Sequence, residues 1–237
     1  MKRIKVTHYL QDSTSTCGVA ACAVVSNFYN SDMDYKKVKD VAYKQIDKKI
    51  SKEGMDSAQI CMLLNKIGFN KVTLITSDFS TIDYAWRGYG KRKMKEVLKE
   101  TYINKKYKEE KVASKNLYDW YSSGYDNKIV IDYNFGRHIR SRLNKKKPLI
   151  ISFNWTMFFK FSKEGKRYED PINGDPQAHA VAVNGYDKNG VWIVDSHHQN
   201  YKYKRKKYKR GFYKISWENL MTIMGEGDVF LPDDYVG

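Results

Sequence analysis

Hydrophobic residues recur at helical spacing near the N-terminus and in alternating or continuous apolar runs near the C-terminus, and this order restricts the fold more than any single motif. Cys17, Ala20, Ala21, Val24, Val25 and Phe28 form one helical face, with Thr16 as candidate N-cap and an end near Asn30. A second helix is expected over 34–45, with Tyr35, Val38, Val41 and Ala42 on one face and lysines on the other. A third starts in DSAQ, where Asp56 and Gln59 have capping-box spacing, and stops at Gly68, with Cys61 near its buried face. KVTLIT (71–76), KIVIDY (128–133) and PLIISF (148–153) read as strands, and 135–144 as a short helix using Ile139 and Leu143. HAVAVNGY (179–186) and VWIV (191–194) are strand-like runs joined by DKNG, read as a type I turn with Gly190 ready for the left-handed position. A strand at GFYKI and a short helix in WENLMTIM are expected to close the fold. Helices first and strands last predict an α+β protein, with N-terminal helices packed on a C-terminal antiparallel sheet.

The middle of the chain interrupts this order. Over 77–127 charge and aromatic content rise together, and the segment reads as an insertion or elaboration, with one helix around Met94, Val97 and Leu98, inside a single domain spanning 1–237. The 237 residues are 41% hydrophobic, enough for a sizeable core, which excludes a disordered or fibrous chain. Lysine and arginine total 43 against 27 acidic residues, a net charge of +16, which points to a polyanionic partner or simply a well-solvated surface. No run approaches the ~18–20 apolar residues of a membrane span. MKRIKV leads into polar residues rather than an apolar signal core, so a cytoplasmic location without a membrane span is expected.

Three cysteines, Cys17, Cys22 and Cys61, are an odd number without a CxxC pair, which argues against a disulfide framework and against zinc. Each is then judged singly. Cys17 falls at a helix N-terminus, where partial positive charge and free amides favour a thiolate. Gly18, Ala20 and Ala21 let its helix pack closely, whereas Cys22 and Cys61 read as small buried hydrophobes. Gln11, six residues before Cys17, lies in a polar loop from which its amide can donate to an oxyanion beside the Cys17 N–H.

A cysteine nucleophile also needs a base held by a third group, and His179 and Asp195 are the candidates. With Lys188, Asn189 and Gly190 as the loop, Asp187 pairs with Val191, and Asp195 falls opposite Val183 on the face of His179. The parity is right, but four residues at ~3.3 Å each leave ~13 Å between them. Contact therefore requires a bulge, strong curl or a register closer to Asp187.

QDSTSTCGVAAC followed far downstream by HAVAVNGYDKNGVWIVDS resembles the papain-like cysteine peptidases, and within them the bacteriocin-processing, double-glycine-leader peptidases and their stand-alone relatives. EGMDSAQICMLLNKIGF and PLIISF belong to the same likeness, which covers about 9–77 and 133 to the C-terminus; the lysine-rich middle lies outside it. The resemblance implies Cys17 as nucleophile, His179 as general base and acid, Asp195 as orienting group and Gln11 as oxyanion donor, with no cofactor or metal. It further implies a peptide or protein substrate cut after small residues such as Gly-Gly. Ser196 stands where these relatives usually carry proline. A transferase or deamidase using the same triad remains an alternative, as does a nucleic-acid-associated basic protein on a peptidase-like scaffold, while an inactive peptide-binding module is disfavoured by the complete tetrad.

Several other residues read more plainly. His197 and His198 are adjacent, so on a strand they face opposite ways and do not form a metal site. His8 and His138 read as surface or capping histidines, and Asp12 as a solvated loop aspartate that can order the loop of Gln11. The basic stretches 91–115 and 201–210, the second interleaving lysine and arginine with tyrosine, are candidate polyanion or nucleic-acid contacts, with a half-packed hairpin as the plainer reading.

Overall fold

The computed structural model describes residues 3–160, 163–165, 168–197, 211–225 and 227–236. Its helical N-terminal part comprises α1 (Cys17–Tyr29), α2 (Tyr35–Val41) running on into a π turn at Ala42–Ile46, the single turn α3 (Ile50–Glu53) and α4 (Ser57–Lys66). The capping box of α4 forms as the spacing predicts, Asp56 accepting from the Gln59 N–H and Gln59 accepting from the Asp56 N–H. After β1 (Phe69–Thr76) come α5 (Lys91–Asn104), α6 (Lys108–Ser122), β2 (Lys128–Ile131), α7 (Phe135–Asn144), β3 (Leu149–Asn154) and α8 (Trp155–Phe159). A short ribbon, β4 (Glu164–Gly165) and β5 (Tyr168–Glu169), precedes β6 (Ala178–Asp187), β7 (Gly190–Val194), β8 (Phe212–Ser216), α9 (Trp217–Ile223) and β9 (Asp228–Tyr235).

Seven of these strands form one sheet in the order β2-β1-β9-β3-β6-β7-β8. The fold is α+β. All described pairings in this sheet are antiparallel except β1 with β2, which are parallel. WENLMTIM was expected to close the fold, yet β9 follows it and occupies the middle of the sheet between β1 and β3. Pro232 is tolerated there because β3 pairs only as far as Phe230, and the Pro232 carbonyl instead accepts from Arg142. The buried Arg142 guanidinium also donates to Asp233 at 2.5 Å and to the Tyr29 hydroxyl at 3.2 Å, fastening α7 and α1 to the last strand.

Strand alternation divides the core. Ile150, Ala180, Ala182 and Phe230 face the helices α1, α4 and α6. Ile151, Phe153, Val181 and Val183 face α7 and α9. Residues Gly18–Ser26 of α1 are buried all round, as expected for a helix enclosed between a sheet and other helices. Fully buried Val19 and Val25 contribute about 1.5–3 kcal/mol each. The small side chains of Ala180 and Ala182 on β6 are what let α1 lie close to the strand that carries His179.

The 77–127 segment carries two helices rather than one, and they join the main core instead of standing outside it. Met94 and Leu98 of α5 and Leu117 and Trp120 of α6 are buried in the same cluster as Val19 and Leu64. A buried polar network locks α6 in place: Asn65 Oδ1 accepts from Trp120 Nε1 at 3.0 Å and from Asn127 Nδ2 at 3.1 Å, while Asn65 Nδ2 donates to the Phe69 carbonyl at 2.9 Å. The lysines of 91–115 point outward, several paired with acids, as in Lys105–Glu110 at 3.1 Å. The 201–210 stretch lies outside the described residues, as does His198.

Asn65→Ala strips the buried Trp120 indole N–H of its acceptor and takes the Asn65 amide donor from the buried Phe69 carbonyl, each costing about 1–3 kcal/mol. Urea unfolding should therefore show a loss of at least ~2 kcal/mol, and a loss no larger than that of an exposed substitution would remove the network from the account.

Candidate active site

Cys17 is the first residue of α1, and its position rests on the loop before it. Thr16 is the N-cap residue, but its side chain makes no capping bond. Its hydroxyl is held in the loop instead, donating to Asp12 Oδ1 at 3.3 Å and accepting from Tyr35 at 3.1 Å. Asp12 also accepts from the Tyr35 hydroxyl at 2.7 Å and pairs with Lys39, so it orders the loop. The first amides of α1 are thereby left without a side-chain cap beside the half-buried Cys17 thiol. Gly18 gives room to side chains, since a Cβ there would meet Ile60 at 3.2 Å and the Met55 sulfur at 3.5 Å.

His179 and Asp195 are brought together by two shifts in the β6–β7 hairpin. The loop is one residue shorter than the spacing implied, because Asp187 pairs with Gly190. Gly190 is not left-handed, with φ at 157°, and is needed for close approach: a Cβ would lie 2.0 Å from the Ile215 carbonyl oxygen. That shorter loop alone would turn Asp195 to the wrong face. A bulge between Val183 and Gly185 adds a second one-residue shift, so Val194 pairs with Ala182 and the next position, Asp195, falls two residues from His179 on its own face. Asn184, at the bulge, accepts on its main-chain carbonyl from the Ile4 N–H at 2.7 Å and donates its side-chain amide to the Ile4 carbonyl at 2.9 Å, so the N-terminal segment is pinned to the bulge, while Asn184 Oδ1 is buried without a partner.

The resulting contact is direct, with His179 Nε2 and Asp195 Oδ1 2.8 Å apart. Nδ1 is the ring nitrogen that Asp195 does not engage, and Cys17 lines the same cavity as His179 and Ala180. Asp195 is fully buried and receives further donors from the Tyr213 hydroxyl on Oδ2 and the His197 N–H on Oδ1, both at 2.8 Å. Tyr213 lies opposite Ile193, which makes it the diagonal neighbour of Asp195. The Trp155 ring stands edge-on to His179 with centroids 4.0 Å apart and covers the imidazole.

Burial opposes charge on both partners, and their mutual contact outweighs it. The Cys17 thiol is lowered below its ordinary range, because the hydrogen bond and charge of His179, aided by Ala180, exceed the penalty of burial and the opposing charge of Asp195. Burial would lower His179, but the charge and hydrogen bond of Asp195, followed by those of Cys17, hold it up to about 9. Cys22 and Cys61 are free, buried and raised chiefly by burial, in keeping with packed thiols. Between the lowered thiol and about 9, the pair is a thiolate facing an imidazolium.

Gln11 lies near this group but is engaged elsewhere. Its Nε2 donates to the Ser13 carbonyl at 2.8 Å and the Thr14 carbonyl at 3.2 Å. Its Oε1 accepts from Ser196 at 2.6 Å, and its N–H donates to the Ser196 carbonyl at 3.2 Å. Ser196, the residue after Asp195, therefore tethers the Gln11 loop to the chain just beyond β7.

His8, read from the sequence as a surface or capping residue, is half-buried with Nε2 2.7 Å from the Asp195 carbonyl. Gly211, at φ 72°, closes that corner, where a Cβ would lie 2.3 Å from the Asp195 carbonyl oxygen. His138 sits at the start of α7, 2.8 Å from Asp132. His197 packs 4.5 Å from Trp155, and among the described residues no group of three His, Cys, Asp or Glu is placed to hold a metal ion. Trp155, Tyr213 and His8 carry no recognisable motif; only the strand pairing of β7 with β8 points to Tyr213. Among the described residues no helix is long and apolar enough to cross a membrane.

The model of the Peptidase C39 like family matches residues 3–223. No curated protein matches the sequence. Among solved structures the chain is similar to the peptidase domain of Streptococcus ComA, a bi-functional ABC transporter involved in a quorum sensing pathway, at 16% identity and a TM-score of 0.43, covering 97% of this chain and 99% of that one.

Alkylation of Cys17 by iodoacetamide should follow a pH midpoint below the ~8.5 of a free thiol. In His179→Ala burial and the Asp195 charge are opposed only by the Ala180 backbone, and the midpoint should move above that value. Equal midpoints in the two proteins would contradict the coupling.

Proposed function

The chain belongs to the Peptidase C39 like family, and on that premise we propose that it is a cysteine peptidase working through Cys17, His179 and Asp195. The observation that carries this reading is the buried 2.8 Å contact of His179 with Asp195 at the wall of the cavity that Cys17, at the head of α1, also lines. The Cys17 thiolate attacks a peptide carbonyl to form a tetrahedral oxyanion. The Cys17 N–H, left uncapped at the head of α1, donates to that oxyanion. Gln11 supplies the second donor when its 3.2 Å contact to Thr14 gives way to the incoming oxygen. The imidazolium of His179 protonates the leaving amine, and the neutral ring then draws a proton from water to release the acyl group. Asp195, fixed by Tyr213 and the His197 amide, holds the ring orientation and stabilises its charge.

Peptide hydrolysis is preferred over acyl transfer because it needs only water as second reactant, though an amine can intercept the same acyl-enzyme; over deamidation, which also uses water, it is preferred on the family membership alone. The expectation of Gly-Gly on the acyl side comes from the resemblance alone. The cavity beside Cys17 is larger than glycine requires.

Labelling by a thiol-directed peptidase probe should be lost in Cys17→Ala, and peptide hydrolysis should fall by ~10³-fold or more in Cys17→Ala and His179→Ala. Gln11→Ala should lower kcat by about 10²-fold or more with little change in KM. Undiminished labelling of Cys17→Ala would refute the nucleophile, and product carrying an added amine in place of water would establish the transferase.

A further inference from the structure

A cavity of about 220 Å3 opens beside Cys17 and His179. It is smaller than the ~300–1,000 Å3 of ordinary small-molecule pockets and has room for one side chain. Its wall carries three carboxylates, Asp56, Asp78 and Asp228, and among the described residues that line it there is no lysine or arginine. This is the reverse of the chain as a whole, whose net charge is +16.

Two of the three acids are occupied by local structure. Asp56 caps α4, taking the Gln59 N–H at 2.7 Å, and accepts from Asn116 Nδ2 at 2.7 Å. Asp78 organises the turn after β1 by accepting from the Ser80 N–H at 2.9 Å and the Thr81 hydroxyl at 3.3 Å.

Asp228 is different. It opens β9, is only 4% exposed, and accepts on Oδ2 from the Ser57 hydroxyl. Its N–H donates to Ser152 at 3.0 Å, while its Oδ1 has no hydrogen-bond partner. Burial pushes its pKa up to about 6 against the hydroxyls of Ser57, Thr76 and Ser152, and the charge of Asp78 adds to the rise. The ionisable groups that share the cavity wall with it are Asp56, Asp78, Cys17 and His179. The His179 imidazolium is engaged by Asp195, and a buried carboxylate with a bare oxygen and no lysine or arginine on the wall beside it is an unfavourable arrangement unless something brought from outside completes it.

We propose that this cavity is a specificity pocket for a lysine or arginine side chain of the substrate, lying within two residues of the cleaved bond, with Asp228 as its floor. The proposal rests on the peptidase reading above and names its substrate class. A basic side chain supplies both the donor and the charge that Asp228 lacks, with Asp56 and Asp78 adding to the negative potential of the wall. Two glycines would leave the cavity empty and Asp228 unpaired. A neutral side chain of the same length would fill the volume but strand the carboxylate, which is how the pocket would discriminate.

The test uses fluorogenic peptides randomised at the two positions on either side of the cleaved bond, each occupied by Lys, Arg, norleucine or Gly. For the wild-type protein, kcat/KM at one position should favour Lys or Arg over norleucine by at least ~10-fold, equivalent to one good ionic contact. In Asp228→Asn, which keeps the side-chain shape, that ratio should fall to near one, with iodoacetamide labelling of Cys17 reporting that the site is still folded. Binding of the same peptides to Cys17→Ala, with and without Asp228→Asn, gives a readout independent of turnover. A Lys preference in binding without any cleavage would refute the peptidase reading and leave the pocket standing. No preference for a cation in either assay, or one that survives Asp228→Asn, would overturn the pocket.

Discussion

His179 is buried at the start of β6, where loss of solvent alone would strip its proton, and the Asp195 carboxylate 2.8 Å away reverses that balance. The charge so retained lowers the Cys17 thiol in turn. Much of the surrounding architecture serves this contact. The bulge beside Asn184 sets the register, Ile4 pairs with Asn184 there, Tyr213 and the His197 amide hold the carboxylate, and Trp155 covers the ring. Without the second register shift, Asp195 would face away from His179, and the imidazole would lose the main support of the charge that lowers the thiol.

The placement of α1 is the other half of the contact. A helix buried all round can approach a strand closely only where the facing side chains are small, and Ala180 and Ala182 provide that on β6 while Val181 and Val183 fill the opposite core. The alternation in HAVAVNGY thus does two things: it brings the head of α1 against the strand, and it puts His179 in phase with the residues that pack on the far side. The same separation appears in the charges. The basic excess lies on outward faces such as that of α5, whereas the cavity next to the nucleophile is walled by acids.

Elements with a strong local signal were legible in the sequence. The periodicity of 17–28, the capping box at Asp56, the helix over 135–144 and the apolar strands all appear within a residue or two of their expected bounds. The nucleophile and base were legible because helix-terminal cysteine and strand-leading histidine have a chemical rationale. β9 was not legible, since Pro232 and three aspartates mask a strand whose place in the sheet depends on long-range pairing with β1 and β3. α6 was hidden by its charge, and only the burial of Leu117 and Trp120 against α4 shows why it is stable. The bulge that unites His179 with Asp195 depends on Asn184 meeting Ile4 across the whole chain, and no local pattern announces such a meeting.

The charge state of His179 is the most direct test of this account. With 15N-labelled histidine, assignment of the His179 ring nitrogens against His179→Ala and titration from acid to alkaline pH would show it. The account predicts a doubly protonated ring at neutral pH that loses its proton near pH 9, with Cys17 ionising at lower pH than it does in His179→Ala. A ring that is neutral at pH 7, titrating at or below the ~6.5 of a free histidine beside a protonated thiol, would contradict it.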